Sequence, residues 1–219
     1  PAHRPQLFGF FGFVFNAAMD ATNSRRYNHT YTAISTSGST TVEAASRALA
    51  TEAGEVDPRS AMTKLSTNPS DGTSLIYIPA KLNASSLTAG QALPHPIARY
   101  AEAQLILAEA QGGATAVGII NTMRAAVNLK PYAGATDATS ITNLIVDERR
   151  RVLFGEGFRA FDIERFNLAL VPAPGATYRF GGVYGNTVCL PLPDREVVNN
   201  PNVDPTTLIS GVKGQFPLP

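Results

Sequence analysis

The sequence predicts a mainly α-helical protein in which helical hairpins are set among long irregular loops, with little β-structure. Three observations carry that prediction. Apolar residues recur at helical spacing through residues 97–170, a Gly112-Gly113 pair joins two of those stretches, and residues 1–96 are interrupted by Pro, Gly, Ser and Thr before a helical period can establish itself. The chain has 219 residues, long enough to bury about two thirds of its unfolded surface without disulfides. Charged residues make up 16%, below the roughly 25% of ordinary soluble domains, which excludes a charged disordered tail and a coiled coil. Lys and Arg number 18 against 17 Asp and Glu, a net charge of +1. Nothing in that balance draws the chain onto phosphates, so nucleic acid is not an expected partner.

The longest apolar run is residues 7–15, Leu-Phe-Gly-Phe-Phe-Gly-Phe-Val-Phe. Crossing a bilayer takes about 20 residues, so this run is expected to be a buried strand or short helix. With His3 and Arg4 before it and Asn16, Ala17 and Ala18 after it, the run also imitates the apolar core of a secretory signal. Residues 16–56 are small and polar and read as loop with short elements. One β-like run, Leu75-Ile76-Tyr77-Ile78, is stopped by Pro79, and Pro94-His95-Pro96 reads as loop.

A first helix is expected over 97–111, rich in Ala, Leu and Glu and stopped by Gly112-Gly113. Arg99, Glu102 and Glu109 share one stripe, while Ile97, Tyr100, Leu105, Ile106 and Leu107 cover most of the remainder, which predicts packing on more than one side. A second helix, 114–128, carries Ala116, Ile119, Ile120, Met123 and Val127 on one face, and the short link folds the two into a hairpin. After the turn-rich residues 131–137, Asp137 or Thr139 caps a third helix over 139–154. Its apolar stripe is Ile141, Leu144, Ile145 and Val152, and Glu148 falls on that stripe. Burying the carboxylate unpaired costs several kcal/mol, so an arginine must meet it, with Arg99, Arg124 and Arg159 as candidates.

Gly155 and Gly157 precede a fourth helix, 158–170. There Phe154, Phe158 and Phe161 continue an aromatic face, and Arg159, Asp162 and Arg165 form i, i+3 ion pairs. Arg99, Glu102, Arg124, Glu148, Arg159 and Asp162 are together expected to form a structural ion-pair network. Two hairpins of about 35 to 40 residues suggest tetratricopeptide-like repeats, without the Trp-Leu-Gly-Tyr signature.

Chemistry is sparse. Cys189 stands alone in the apolar run Val188-Cys189-Leu190-Pro191 and reads as a buried inert thiol. His3, His29 and His95 are too far apart for a local metal motif, so neither metal nor cofactor is expected. Glu148 and Glu156 would lie about 12 Å apart by helical rise. They read as structural partners of arginines and not as the paired acids of a glycosidase. Arg149-Arg150-Arg151, surrounded by Asp147, Glu148, Glu156 and Asp162, reads as a mixed salt-bridged face. Tyr178, Phe180 and Tyr184, interleaved with Gly175, Gly181, Gly182 and Gly185, either close over the helices or contact a ligand, and they are the candidate ligand-binding residues.

Several of these pieces occur in a telling order. They are Arg99-Tyr100-Ala101-Glu102 with Leu107-Ala108-Glu109-Ala110, then Ile120-Asn121-Thr122-Met123-Arg124, then Glu148-Arg149-Arg150-Arg151. Phe154-Gly155-Glu156-Gly157-Phe158-Arg159 and Phe161-Asp162-Ile163-Glu164-Arg165 follow, with a closing Leu190-Pro191-Leu192-Pro193, Glu196 and Asn200-Pro201. In this order and spacing the chain resembles the SusD/RagB family of outer-membrane nutrient-binding proteins, over about residues 57–203, with Asp57-Pro58-Arg59 as a looser match.

The resemblance implies a mainly helical scaffold on which irregular loops build a ligand surface. It implies a nonenzymatic, lipid-anchored protein on the extracellular face of a bacterial outer membrane. Such a protein passes an oligosaccharide or peptide to a SusC-like TonB-dependent β-barrel transporter. The matching part is the C-terminal portion of such proteins, so an N-terminal part carrying the anchoring Cys is expected to precede it, and membrane association would come only through an anchor absent from this chain. On this reading residues 1–96 are a loop-rich segment packing on the helices, 97–203 a helical domain with a closing loop segment, and 204–219 an irregular tail. The chain has no Trp, the residue best suited to stacking on sugars. That keeps open a second reading, a helical-repeat structural or assembly subunit on the same scaffold without nutrient binding.

Overall fold

The computed structural model describes residues 10–13, 34, 38, 41–42, 44–83, 95–177 and 182–185, and the fold is mainly α-helical. The chain divides into two units, one up to Gly157 and one from Phe158 on.

The first unit is organised by three helices, α1 (Tyr100–Gln111), α2 (Gly113–Ala125) and α3 (Ala138–Val152). Gly112 ends α1 and starts α2. Its φ of +63° is a conformation that favours glycine, and its N–H closes on Ala108 O at 2.9 Å while its own carbonyl accepts from Ala116 N–H at 3.0 Å. So short a link folds the helices into a hairpin, against which α3 packs. Ala108, Ala116, Ile120, Ile141, Leu144 and Ile145 form the core between them.

α3 follows the predicted pattern. Asp137 caps it, accepting from Thr139 and Ser140 N–H at 3.1 Å each, and the stripe Ile141, Leu144, Ile145, Glu148 and Val152 is buried. α1 does not follow its pattern. Only Ala101, Leu105 and Ala108 are buried, while Tyr100, Ile106 and Leu107 are exposed. The two alanines let the helix lie close to its neighbours along one narrow line, so it packs on one side and not on several.

α2 ends with Asn128 at φ +58° and Leu129 N–H on Arg124 O at 3.0 Å. This left-handed termination stops the helix short of residue 128.

The β-structure is short. β1 (Phe10–Phe13) pairs antiparallel with β4 (His95–Arg99), with a register shift between Phe11 and Gly12. The segment around Pro96 is therefore strand and not loop, and α1 starts at Tyr100, not at residue 97. A proline holds the preceding residue extended, and a distant partner strand supplies the hydrogen bonds that make such a segment a strand. β2 (Met62–Lys64) pairs antiparallel with β3 (Tyr77–Pro79). Beside them Ile34, Ile76, Ile78 and Leu82 form a second apolar cluster, with Leu65 against it.

Residues 49–57 form a small hairpin, closed by Asp57 N–H on Leu49 O and Thr51 N–H on Glu55 O, each 2.9 Å, with Gly54 at φ +77°. It leads into a 3₁₀ turn, Pro58–Ser60, capped by Asp57.

In the second unit α4 (Arg159–Arg165) is shorter than predicted. Asn167 at φ +51° and Leu168 N–H on Ile163 O at 2.9 Å end it as Asn128 and Leu129 end α2. Phe161 is 75% exposed, so the aromatic face expected of Phe154, Phe158 and Phe161 is not a packed one at that position.

Candidate functional site

The charged residues of the first unit converge on two carboxylates. Glu148 is carried inward by the apolar stripe of α3 and is fully buried. Its Oε1 accepts from Arg124 Nε and Arg151 Nη2, and its Oε2 from Arg59 Nη2, all at 2.8 Å. Of the three candidate arginines, Arg124 reaches it from α2. Arg99 goes elsewhere, and Arg159 belongs to the second unit.

Arg124, itself fully buried, closes a fork on Glu52: Nη1 to Oε1 at 2.6 Å and Nη2 to Oε2 at 2.9 Å. Asp57, also fully buried, accepts from Arg59 N–H at 2.9 Å and from its guanidinium, and its Oδ2 lies 3.3 Å from Arg151 Nε. Three carboxylates (Glu52, Asp57, Glu148) thus balance three guanidiniums (Arg59, Arg124, Arg151). The cluster fastens the 49–59 hairpin and turn to α2 and α3.

The titration behaviour follows from these contacts. The hydrogen bonds from Arg124 hold the Glu52 carboxyl below the usual range. Burial pushes the Asp57 carboxyl up, but Arg59 and Arg151 outweigh it and the net direction is down. Burial likewise works against the Arg124 cation, and Glu52 with Glu148 more than restores it.

The second centre is Glu156, in the Gly155-Glu156-Gly157 segment after α3. Its Oε2 accepts from Arg99 Nε and its Oε1 from Arg99 Nη2, both at 2.7 Å, and Oε1 also accepts from Lys81 Nζ. Lys81 also donates to Val152 O at 3.2 Å, and so does Arg99, so the two cations cap the end of α3. Burial lowers the Lys81 pKa despite the neighbouring Glu156. Asn121 completes the set. Its Oδ1 accepts from Tyr132 N–H at 2.7 Å and its Nδ2 donates to Tyr132 O at 3.3 Å, pinning the loop after α2.

The expected network is therefore brought together only in part. Arg124 and Glu148 meet, Arg99 pairs with Glu156, and Glu102 makes no ion pair among the described residues. In the second unit Asp162 is buried, with Arg165 Nη2 3.9 Å from its Oδ1. The sequence reading missed Glu52, Arg151 and Lys81 as members, and met Asp57 and Arg59 only in the loose Asp-Pro-Arg match. Two signals were available: Arg151 lies one turn from Glu148, and Asp57-Pro58 has the cap-then-proline order of a helical turn start.

These carboxylates hold structure. Each oxygen of Glu148 and Glu156 already accepts from a cation, and their side chains are 0% and 4% exposed. No substrate atom reaches them from solvent in this arrangement. Among the described residues no cluster of His, Cys, Asp or Glu could hold a metal ion, and no helix is long and apolar enough to cross a membrane.

Of the candidate ligand residues, Tyr178 and Phe180 lie outside the described residues, as do Cys189, His3, His29, the closing block 190–201 and the tail 204–219. Tyr184 is half-buried beside an antiparallel bridge between Thr177 and Val183, where Gly175 N–H reaches Tyr184 O at 2.8 Å and Tyr184 N–H reaches Ala176 O at 2.9 Å.

Arg124, Glu148, Arg99 and Glu156, residues of the motifs that resemble the SusD/RagB family, thus build the two ion-pair centres of the first unit, and a family model described as the SusD family matches residues 18–206. The chain belongs to the SusD family. No curated protein and no solved structure matches it. Membership implies a nutrient-binding outer-membrane protein associated with SusC-type transporters. SusD-family proteins are generally cell-surface lipoproteins and binding proteins, not enzymes.

Proposed function

We propose that this SusD-family protein is a nonenzymatic binding protein on the extracellular face of the outer membrane. It captures an oligosaccharide or peptide and delivers it to a SusC-like TonB-dependent β-barrel transporter. The observation that carries this reading is the family match over residues 18–206. The occupation of the buried Glu148 and Glu156 carboxylates by cations supports binding over catalysis. Ligand contact is assigned to Tyr178, Phe180 and Tyr184, aromatics interleaved with glycines whose flat faces suit sugar rings or apolar side chains.

The test is purification of the native protein from membranes under mild detergent, followed by titration with oligosaccharides and peptides. Co-purification of a large β-barrel and a ligand affinity that Tyr184→Ala weakens are the expected results. An ordered homopolymer with no barrel and no ligand would favour the structural-subunit reading instead.

A further inference from the structure

The Glu52–Arg124 pair differs from every other contact in its cluster. Asp57 and Glu148 are sealed from water, whereas the Glu52 side chain is 44% exposed over an Arg124 that is not exposed at all. Arg124 presents to Glu52 the two parallel N–H groups that fit a carboxylate, at 2.6 and 2.9 Å. Glu52 sits at a turn whose backbone bonds, Gly54 N–H to Thr51 O and Thr51 N–H to Glu55 O, do not involve its side chain. The side chain can therefore swing into solvent with the hairpin intact.

With Glu52 swung out, two carboxylates remain against three guanidiniums, and the Nη1–Nη2 fork that Glu52 covers is left with an excess positive charge, with only Lys130 O, 3.5 Å from Nη1, still beside it. The half-buried Tyr132 ring, packed against the helical core, lies under the Arg124 guanidinium, with the ring centroid 5.9 Å away.

We propose that the Arg124 fork is a carboxylate subsite for an acidic sugar, capped by the chain's own Glu52. The carboxylate of a uronic acid replaces that of Glu52 on Nη1 and Nη2. The choice of a sugar as ligand rests on the nutrient-binding reading; the existence of the carboxylate subsite does not. A tethered carboxylate competes at an effective concentration on the order of mM, so the cap sets a threshold below which acidic ligand is refused.

The experiment uses the full chain and small probes, without the transporter. Galacturonate, N-acetylglycine and galactose are titrated at constant ionic strength into wild type, Glu52→Ala and the double variant Glu52→Ala/Arg124→Met, and thermal midpoints are read. Removing the cap is expected to lower the midpoint. Galacturonate should restore it saturably, with an apparent dissociation constant about tenfold or more below that for wild type. Galactose should restore nothing, and the double variant should not respond. If Glu52→Ala folds only when galacturonate is present, the proposal is supported; if galacturonate does not recover it, the proposal fails. Equal rescue by galactose, or a response that survives loss of Arg124, also overturns the subsite. Tighter rescue by N-acetylglycine overturns the sugar assignment. Failure of the transporter to co-purify would count against the delivery reading and leave these midpoints unaffected.

Discussion

Replacing Glu148 by Gln changes one charge at nearly constant volume in a site with no exposure to water. In the native cluster three carboxylates meet three guanidiniums, and the variant leaves a net positive charge buried. The Gln oxygen can take the place of Oε1 and keep the bonds to Arg124 Nε and Arg151 Nη2. Its amide nitrogen then faces Arg59 Nη2, donor against donor, where Oε2 accepted at 2.8 Å. Flipping the amide saves that one bond and sacrifices two. A charged hydrogen bond contributes about 1.5–3 kcal/mol, and removing one partner of a buried ion pair costs about 3–5 kcal/mol. The expected loss is therefore about 3–5 kcal/mol, which lowers the midpoint by about 6–20 °C for a chain of this size. The assay is urea unfolding of the full chain followed by far-UV circular dichroism, with slopes compared to wild type. Asp147→Asn is the control. It is the preceding residue on the same helix, exposed, and expected to stay within about 0.5 kcal/mol of wild type. A Glu148→Gln loss under about 1 kcal/mol would refute the reasoning, because the cluster would then be hydrated and its arginines satisfied by water.

Acid should act on the same cluster. Asp57 and Glu52 have folded pKa values below the unfolded ones, so their contribution is complete above about pH 4 and is lost as pH falls through the folded values. The urea midpoint should fall across that window, and Asp57→Asn should flatten the fall; an unchanged acid slope in the variant would contradict the assignment. At the end of α2, Asn128 at φ +58° should accept Gly without loss. Asn128→Val should cost about 1–2 kcal/mol in the same unfolding assay, and equal stability of the two variants would mean that the left-handed termination does not form.

How much of this could be read from the sequence depended on how far apart the partners lie along the chain. Glu148 was legible as a buried charge because the period of α3 places it between Ile145 and Val152, and Arg124 followed as a candidate because a buried carboxylate demands a cation. Glu52, Asp57 and Arg59 were not legible in the same way. They come from a hairpin and a 3₁₀ turn about 90 residues earlier, and no local period records which loop returns to which helix. The same holds for β4. Its residues read as loop and helix start because the strand pairing that makes them extended comes from residues 10–13, far outside any window of local pattern. Exposure of Ile106 and Leu107 was hidden for a related reason: apolar residues around a whole helix predict burial on several sides only if neighbours exist to cover them.

A physical reason why the family is easier to read than the ligand follows from where its motif residues point. Arg99 and Glu156 close the end of α3, Asn121 pins the Tyr132 backbone, and Arg124 and Glu148 fasten the 49–59 segment to α2 and α3. Each joins an irregular segment to a helix through charged or amide groups, and those groups sit at fixed distances from helix ends, which is a spacing that a sequence can be read for. The proposed ligand aromatics Tyr178, Phe180 and Tyr184 follow no helical period and leave no such spacing. The buried salt bridges thus account for the clarity of the family assignment, and of them only the solvent-facing Glu52–Arg124 pair, through the subsite proposed above, bears on what is bound.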